Sequence, residues 1–132
     1  MNINYKEIKT FQSIDLEKLF LSVKWVSGNH PDKLVVAMKN SDTVFSAWDN
    51  EKLVGLINSL DDGCMTVYVH FLLVHPEYQG KGIGKELLRM VNNKYKDYLR
   101  VVLIADEEET GFYLNSGFEL AVGTKAMFIN RF

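Results

Sequence analysis

The spacing of apolar positions along the chain changes several times, and each change marks an element. Ile3 to Lys9 alternates and reads as a short first strand. Leu16, Leu19, Phe20 and Val23 then recur at i, i+3, i+4 and i+7, one face of a helix that Ser13 or Asp15 would cap and Gly28 would follow. Pro31 suits the first turn of a second short helix through Met38, closed by Asn40. From Thr43 the period shortens. Thr43 to Trp48 and Leu53 to Leu60 read as strands joined by the turn Asp49-Asn50-Glu51-Lys52.

Asp61-Asp62-Gly63 makes another tight turn, and Cys64 to Val74 follows as a long strand. Alternation puts Val67, Val69, Phe71 and Leu73 on one face, and Tyr68, His70, Leu72 and Val74 on the other. Both faces are mostly apolar, which predicts a central strand covered on both sides. Pro76 stops it. Gly82 to about Leu99 reads as a helix with Ile83, Leu87, Leu88, Val91 and Tyr95 inward, leading to a β-rich run from Arg100 to Ala105. A strand–helix–strand connection of this length predicts two parallel strands. Glu107 to Asn115 reads as a short helix with Gly117 as its C-cap, and Phe118–Leu120 and Lys125–Ile129 as terminal strands. The fold class is α+β: a mixed, mostly antiparallel sheet with one β-α-β unit and helices on both faces.

Composition narrows the classes. The chain has 132 residues, 47% of them hydrophobic, with two Pro. This suits a single domain over residues 1–132 and excludes a disordered chain. No run nears the roughly 18 apolar residues that span a bilayer, and the N-terminus lacks the apolar core of a signal peptide. We expect a soluble, cytoplasmic protein. The net charge of −2 shows no basic excess, so the expected partner is a small molecule, neither nucleic acid nor membrane. Cys64, the one cysteine, forms no internal disulfide and builds no thiolate metal site by itself.

The most informative segment is Val74-His75-Pro76-Glu77-Tyr78-Gln79-Gly80-Lys81-Gly82-Ile83-Gly84-Lys85. Alternating glycines between a buried strand and an amphipathic helix let the backbone approach a ligand and aim successive N–H groups into one concavity. The helix N-terminus adds attraction for an anion. The segment is therefore a candidate cradle for phosphate or pyrophosphate. It is not a P-loop, because no Gly-Lys-Ser/Thr follows a four-residue gap, and its glycine spacing is not that of the dinucleotide fingerprint. The plain alternative is a turn that only reverses the chain.

Gln79-Gly80-Lys81-Gly82-Ile83-Gly84 resembles the Gln/Arg-x-x-Gly-x-Gly/Ala signature of the GNAT acyltransferase superfamily. Leu73 to Tyr78 resembles that family's strand-to-loop lead-in, and Phe112-Tyr113-Leu114-Asn115-Ser116-Gly117-Phe118 resembles its second landmark. The two landmarks stand in the family's order. Trp25, Asn40-Ser41, Leu53-Val54-Gly55, Ala105-Asp106 and Lys125-Ala126-Met127-Phe128 are also similar to a small-GNAT group that includes plant-type aralkylamine (serotonin) acetyltransferases. Phe71 stands where that group often carries an acidic residue.

The resemblance implies acetyl-CoA as co-substrate, without a metal. Backbone N–H groups of Gln79, Gly80, Lys81, Gly82, Ile83 and Gly84 would hold the pyrophosphate, and Lys81 and Lys85 could neutralise phosphates or simply be solvated. Leu72, Leu73 and Val74 would pair with the pantetheine arm where the next strand splays away. A free N–H near Leu72 or Leu73 would face the thioester oxygen. Tyr113 is the implied acid for the departing thiolate, the alternative being an ordinary core tyrosine. His70 is a candidate base for the amine, weighed equally with a hydrogen-bonded buried histidine. His75, five residues on, would fall on the opposite strand face, which counts against a shared metal site.

Asp106-Glu107-Glu108-Glu109 reads first as acids complementing a helix start, and second as an attractor for a cationic amine. Cys64 reads as structural. The expected function is acetyl transfer from acetyl-CoA to a primary amine. A non-catalytic CoA-binding sensor and an adapter without CoA are the competitors. Edge strands at the C-terminus offer a way to a homodimer.

Overall fold

The computed structural model describes residues 2–132; Met1 lies outside the described residues. Five strands form one sheet in sequential order: β1 (Ile3–Glu7), β2 (Thr43–Asp49), β3 (Lys52–Asp61), β4 (Thr66–Val74) and β5 (Arg100–Leu103). The first four are antiparallel neighbours, while β5 runs parallel to β4. The parallel pair is joined by helix α3 (Ile83–Lys94), as a crossover of that length requires. Helices α1 (Ser13–Ser22) and α2 (Pro31–Asn40) precede β2, and a short α4 (Thr110–Leu114) follows β5. Among the described residues, no helix is long and apolar enough to cross a membrane.

The sheet separates two cores. Leu16, Leu19 and Phe20 of α1 and Leu34 and Met38 of α2 pack against Val44, Leu56 and Leu73 on one face. Ile83, Leu87, Leu88 and Val91 of α3 pack against Phe45, Val54, Ile57 and Val67 on the other. Gly55 permits the approach of α3, because a Cβ there would stand 3.1 Å from Ile83 and 3.2 Å from Leu87. Tyr95, just past α3, is buried, and its hydroxyl meets Thr43 Oγ1 at 2.6 Å, Ser59 Oγ at 3.0 Å and Asp61 Oδ2 at 2.8 Å. A buried hydroxyl satisfied in this way ties the helix end to the sheet.

Several sequence expectations need correction. The α1 cap is Gln12, whose backbone carbonyl accepts from Asp15; Ser13 and Asp15 lie inside the helix and cap nothing with their side chains. Gly28 belongs to a separate 3-10 turn, Val26–Asn29. The long strand starts at Thr66 instead of Cys64, because the Asp62 carboxylate accepts the N–H groups of Cys64, Met65 and Thr66 and closes a loop there. These bonds favour the charged carboxylate and lower its pKa.

The expected alternation also fails halfway along β4. Ile57 opposes Leu72 and Ser59 opposes Val69, so His70 and Phe71 together face Asn58. This β-bulge flips every later side chain to the other face. Val67, Val69, Leu72 and Val74 therefore share the α3 side, while Phe71 and Leu73 turn to the α1–α2 side. The terminal strands at Phe118–Leu120 and Lys125–Ile129 do not form, and residues 119–132 have no regular structure.

Candidate active site

The bulge is held by a buried side chain. Phe71 N–H donates to Asn58 Oδ1 at 2.9 Å, and Asn58 Nδ2 donates to Ser41 Oγ at 3.1 Å. Asn58 thereby supplies the acceptor that the interrupted ladder takes from Phe71. Beyond the bulge, His75 N–H donates to the Val54 carbonyl of β3 at 2.8 Å. Successive residues of a strand point their backbone groups to opposite edges, so residues 71, 73 and 75 address β3. Leu72 and Val74 address the other edge. The β4–β5 pairing ends at Val69 and Leu103, so no strand covers that edge at Leu72 or Val74.

The bared edge is one wall of a cleft of about 640 Å³. Leu72, Leu73 and Val74 line it together with Gln79, Gly80, Gly82, Ile83, Gly84 and Lys85, and Tyr113 stands across from them. Lys81 is exposed and is not among the lining residues. Side chains pin the glycine turn to the sheet: Gln79 Nε2 donates to the Val74 carbonyl at 2.9 Å, and Tyr78 Oη donates to Asp49 Oδ2 at 2.5 Å. Gly80 and Gly82 have φ of +77° and +87°, the left-handed region that other residues avoid. A Cβ at either would meet nothing within 4 Å, so the space above the turn is open to a ligand. Gly84 is not left-handed; its Cβ position lies 3.6 Å from Val74 and 3.7 Å from Phe112. The first-turn amides of α3 have no helical acceptor below them and face this space with the positive end of the helix.

Tyr113 sits on α4, which a 3-10 turn, Glu107–Glu109, leads into. Gly117 has φ of +94°, and Phe118 N–H returns to the Tyr113 carbonyl at 3.1 Å, a Schellman-type stop that ends the helix at a defined place. Phe112 and Phe118 meet the Tyr113 ring edge-on at 5.1 and 5.7 Å. Burial, and then the nearby Glu109 and Asp106 carboxylates, push the phenol pKa up to about 12. At neutral pH it is a protonated donor.

A smaller cavity of about 140 Å³ shares Trp25, Leu72, Asp106, Glu109 and Tyr113 with the cleft and adds His70. His70 does not share a face with Leu72 and Val74 as alternation suggested, because the bulge intervenes. Its ring stacks on Phe71 at 3.8 Å and lies 5.6 Å from Tyr68. One edge stays exposed, while burial of the rest lowers its pKa, so the imidazole is neutral near pH 7. His75 has left the strand; its Nδ1 accepts from Glu77 N–H and caps the turn at Pro76. The structure thus brings Tyr113 and His70 to one cavity and separates His75 from both.

Sequence reasoning missed the wall formed by Ser22, Val23 and Lys24, and a packing role for Trp25, which meets Phe71 at 6.0 Å and Phe20 at 6.1 Å. The acidic run leads into a helix as expected, and Asp106 and Glu109 also line both cavities. A loop wall assembled from segments about 80 residues apart leaves no local pattern. The arrangement offers an anion cradle, an unpaired strand edge, a phenol donor, a neutral imidazole and two carboxylates.

Comparison with known proteins agrees with this geometry. A family model described as an Acetyltransferase (GNAT) domain matches residues 21–127. An uncharacterized N-acetyltransferase, ycf52-like, of Prochlorococcus marinus is 32% identical over 122 residues, covering 88% of this chain and 67% of that protein. The ycf52 N-acetyltransferase of Gracilaria tenuistipitata var. liui is 34% identical, over 86% of this chain and 66% of its own length. The chain therefore spans about two thirds of these curated relatives. A GNAT-family acetyltransferase structure from Streptococcus pneumoniae superposes with a TM-score of 0.84 at 31% identity, covering 98% of this chain and 99% of that one.

Proposed function

The chain belongs to the GNAT acetyltransferase family, and from that premise we propose that it transfers the acetyl group of acetyl-CoA directly to a primary amine, in the cytoplasm. The observation that carries the reading is the meeting, in one cleft, of the bared β4 edge, the left-handed glycine turn and Tyr113. The amides of the turn and of the first turn of α3 bind the pyrophosphate. Leu72 and Val74 take the amides of the pantetheine arm as a further strand would be taken. Lys85, at the rim, supplies positive charge.

Chemistry follows from what faces the bared edge. When the amine nitrogen bonds to the thioester carbon, negative charge gathers on the carbonyl oxygen, and the Leu72 N–H donates to it. The carbon–sulfur bond then breaks, and Tyr113 gives its proton to the leaving sulfur. His70, neutral at the working pH, receives the proton that the amine must lose, directly or through one water. Asp106 and Glu109 draw the cationic form of the amine to the entrance. Asn58 acts through Phe71 as a positioning residue, since its carbonyl keeps the bulge that turns Leu72 to the free edge.

The test is release of free thiol from acetyl-CoA across a panel of arylalkylamines, polyamines, amino acids, aminoglycosides and lysine peptides. The reading predicts amine-dependent release with at least one class. Tight acetyl-CoA binding without release for any amine would identify a CoA-binding module instead.

The pH dependence separates the two readings of His70. With its pKa below the ordinary imidazole value, wild-type kcat/KM should fall only on the acid side of that value. His70→Ala should lose activity most at low pH and recover in part as rising pH supplies free amine. A uniform loss across pH, with a lower Tm, would assign His70 to packing alone.

A further inference from the structure

Helix α1 ends on a residue that the backbone there does not favour. Lys24 N–H donates to the Leu21 carbonyl at 3.0 Å and Trp25 N–H to the Phe20 carbonyl at 3.1 Å, the paired bonds of a Schellman stop. Such a stop needs a left-handed residue, and Lys24 supplies it with φ of +63°. Glycine is the usual occupant, as Gly117 is after α4. Among the described residues, the only other non-glycine with positive φ is Asn50, and asparagine enters that region readily in turns. A lysine there is strained, and strain of this kind collects at functional sites. Lys24 lines the cleft, is exposed, and among the described residues forms no ion pair.

Its neighbour puts Lys24 at the acceptor end of the cleft. Trp25 packs on Phe71 at 6.0 Å, beside the bared edge at Leu72, and lines the smaller cavity with His70 and Tyr113. The phosphate cradle, Gln79 to Lys85, has its own amides and its own lysine. Asp106 and Glu109 stand in both cavities. The acceptor end thus offers carboxylates from one segment and an ammonium from another. An amine that carries its own carboxylate meets both with complementary charge. Resting on the transferase reading above, we propose that the acceptor is an amino carboxylate, an α- or ω-amino acid, and that Lys24 binds its carboxylate while its amine faces His70. The Lys24 ammonium has up to three hydrogens to donate to the carboxylate oxygens.

The test is kcat/KM for the amino acids of the panel above, with γ-aminobutyrate added, each beside its own carboxamide. Wild type, Lys24→Gln, Lys24→Gly and Lys24→Arg are compared. The wild type should prefer the carboxylate. Lys24→Gln should lower kcat/KM for the carboxylate by about fivefold or more relative to the amide, chiefly through KM, the size of a charge pair at the edge of a cleft. Lys24→Arg should keep the preference. Lys24→Gly should raise Tm by relieving the left-handed strain and still lose the preference, whereas a lysine that only ends the helix would be replaced without loss of specificity. Equal losses for carboxylate and amide, or no preference in the wild type, would overturn the assignment. So would weaker calorimetric binding of CoA to Lys24→Gln with the preference intact, which would move Lys24 to the phosphates. Thiol release only with amines that carry no carboxylate would overturn the acceptor class and leave the transferase reading standing; no release with any amine would overturn both.

Discussion

Replacing Tyr113 by Phe should lower kcat by about 10²-fold or more, the low end for a positioned general acid, and leave acetyl-CoA affinity nearly unchanged. The change removes one hydroxyl and keeps the ring that packs between Phe112 and Phe118. With its pKa raised to about 12 by burial and by Glu109 and Asp106, the phenol is fully protonated in the resting enzyme. It thus holds a proton ready for a sulfur that leaves as thiolate. Affinity rests mainly on backbone groups of the glycine turn and β4, which the substitution does not touch. Steady-state turnover with the best amine, beside calorimetric titration of both proteins with acetyl-CoA, reads the two quantities separately. Wild-type kcat in a folded Phe variant would remove Tyr113 from the chemistry and leave water as the donor.

Gly82→Val should abolish the rise in Tm that acetyl-CoA or CoA produces in the wild type. A ligand that binds only the native state stabilises it by mass action, so the shift reports on the cradle. At φ of +87° a β-branched residue is strained by about 1–3 kcal/mol, and the N-terminal cap of α3 must rearrange to relieve it. Its side chain would also enter the open space above the turn. A matched control isolates the two effects. Gly63 has φ of +86° and equally open surroundings, but it lies in the β3–β4 turn, outside the cleft. Gly63→Val should bear similar strain and keep the ligand shift. An undiminished shift in a folded Gly82→Val protein would sink the cradle.

What was legible in the sequence is what is encoded locally. The inward faces of α1 and α3 follow from spacing alone, and Leu16, Leu19, Phe20, Leu87, Leu88 and Val91 are all buried. The glycine turn was legible because its backbone conformation demands glycine at 80 and 82. The face of His70 was not, because it depends on a bulge that Asn58, from another strand, holds through one hydrogen bond. Alternation counted along β4 has no access to a side chain in β3. The terminal strands failed for a related reason: Lys125–Ile129 has strand composition, but a strand exists only with a partner, and among the described residues this segment pairs with none, although the outer edge of β5 is free. The acidic run does stand at a helix start, but its place in the cavity wall was not legible, because it depends on α4 bringing Tyr113 beside Asp106 and Glu109.

The central claim is direct transfer within one cleft, and it predicts where the acetyl group can be found. Excess enzyme should be mixed with acetyl-labelled acetyl-CoA, first alone and then with the best amine, and the label followed by mass spectrometry of protein and small molecules. Direct transfer predicts that the label stays on CoA until amine is added, then passes to the amine in a single turnover without appearing on the protein. Label on the protein before amine is added, and its later passage to the amine, would contradict the account.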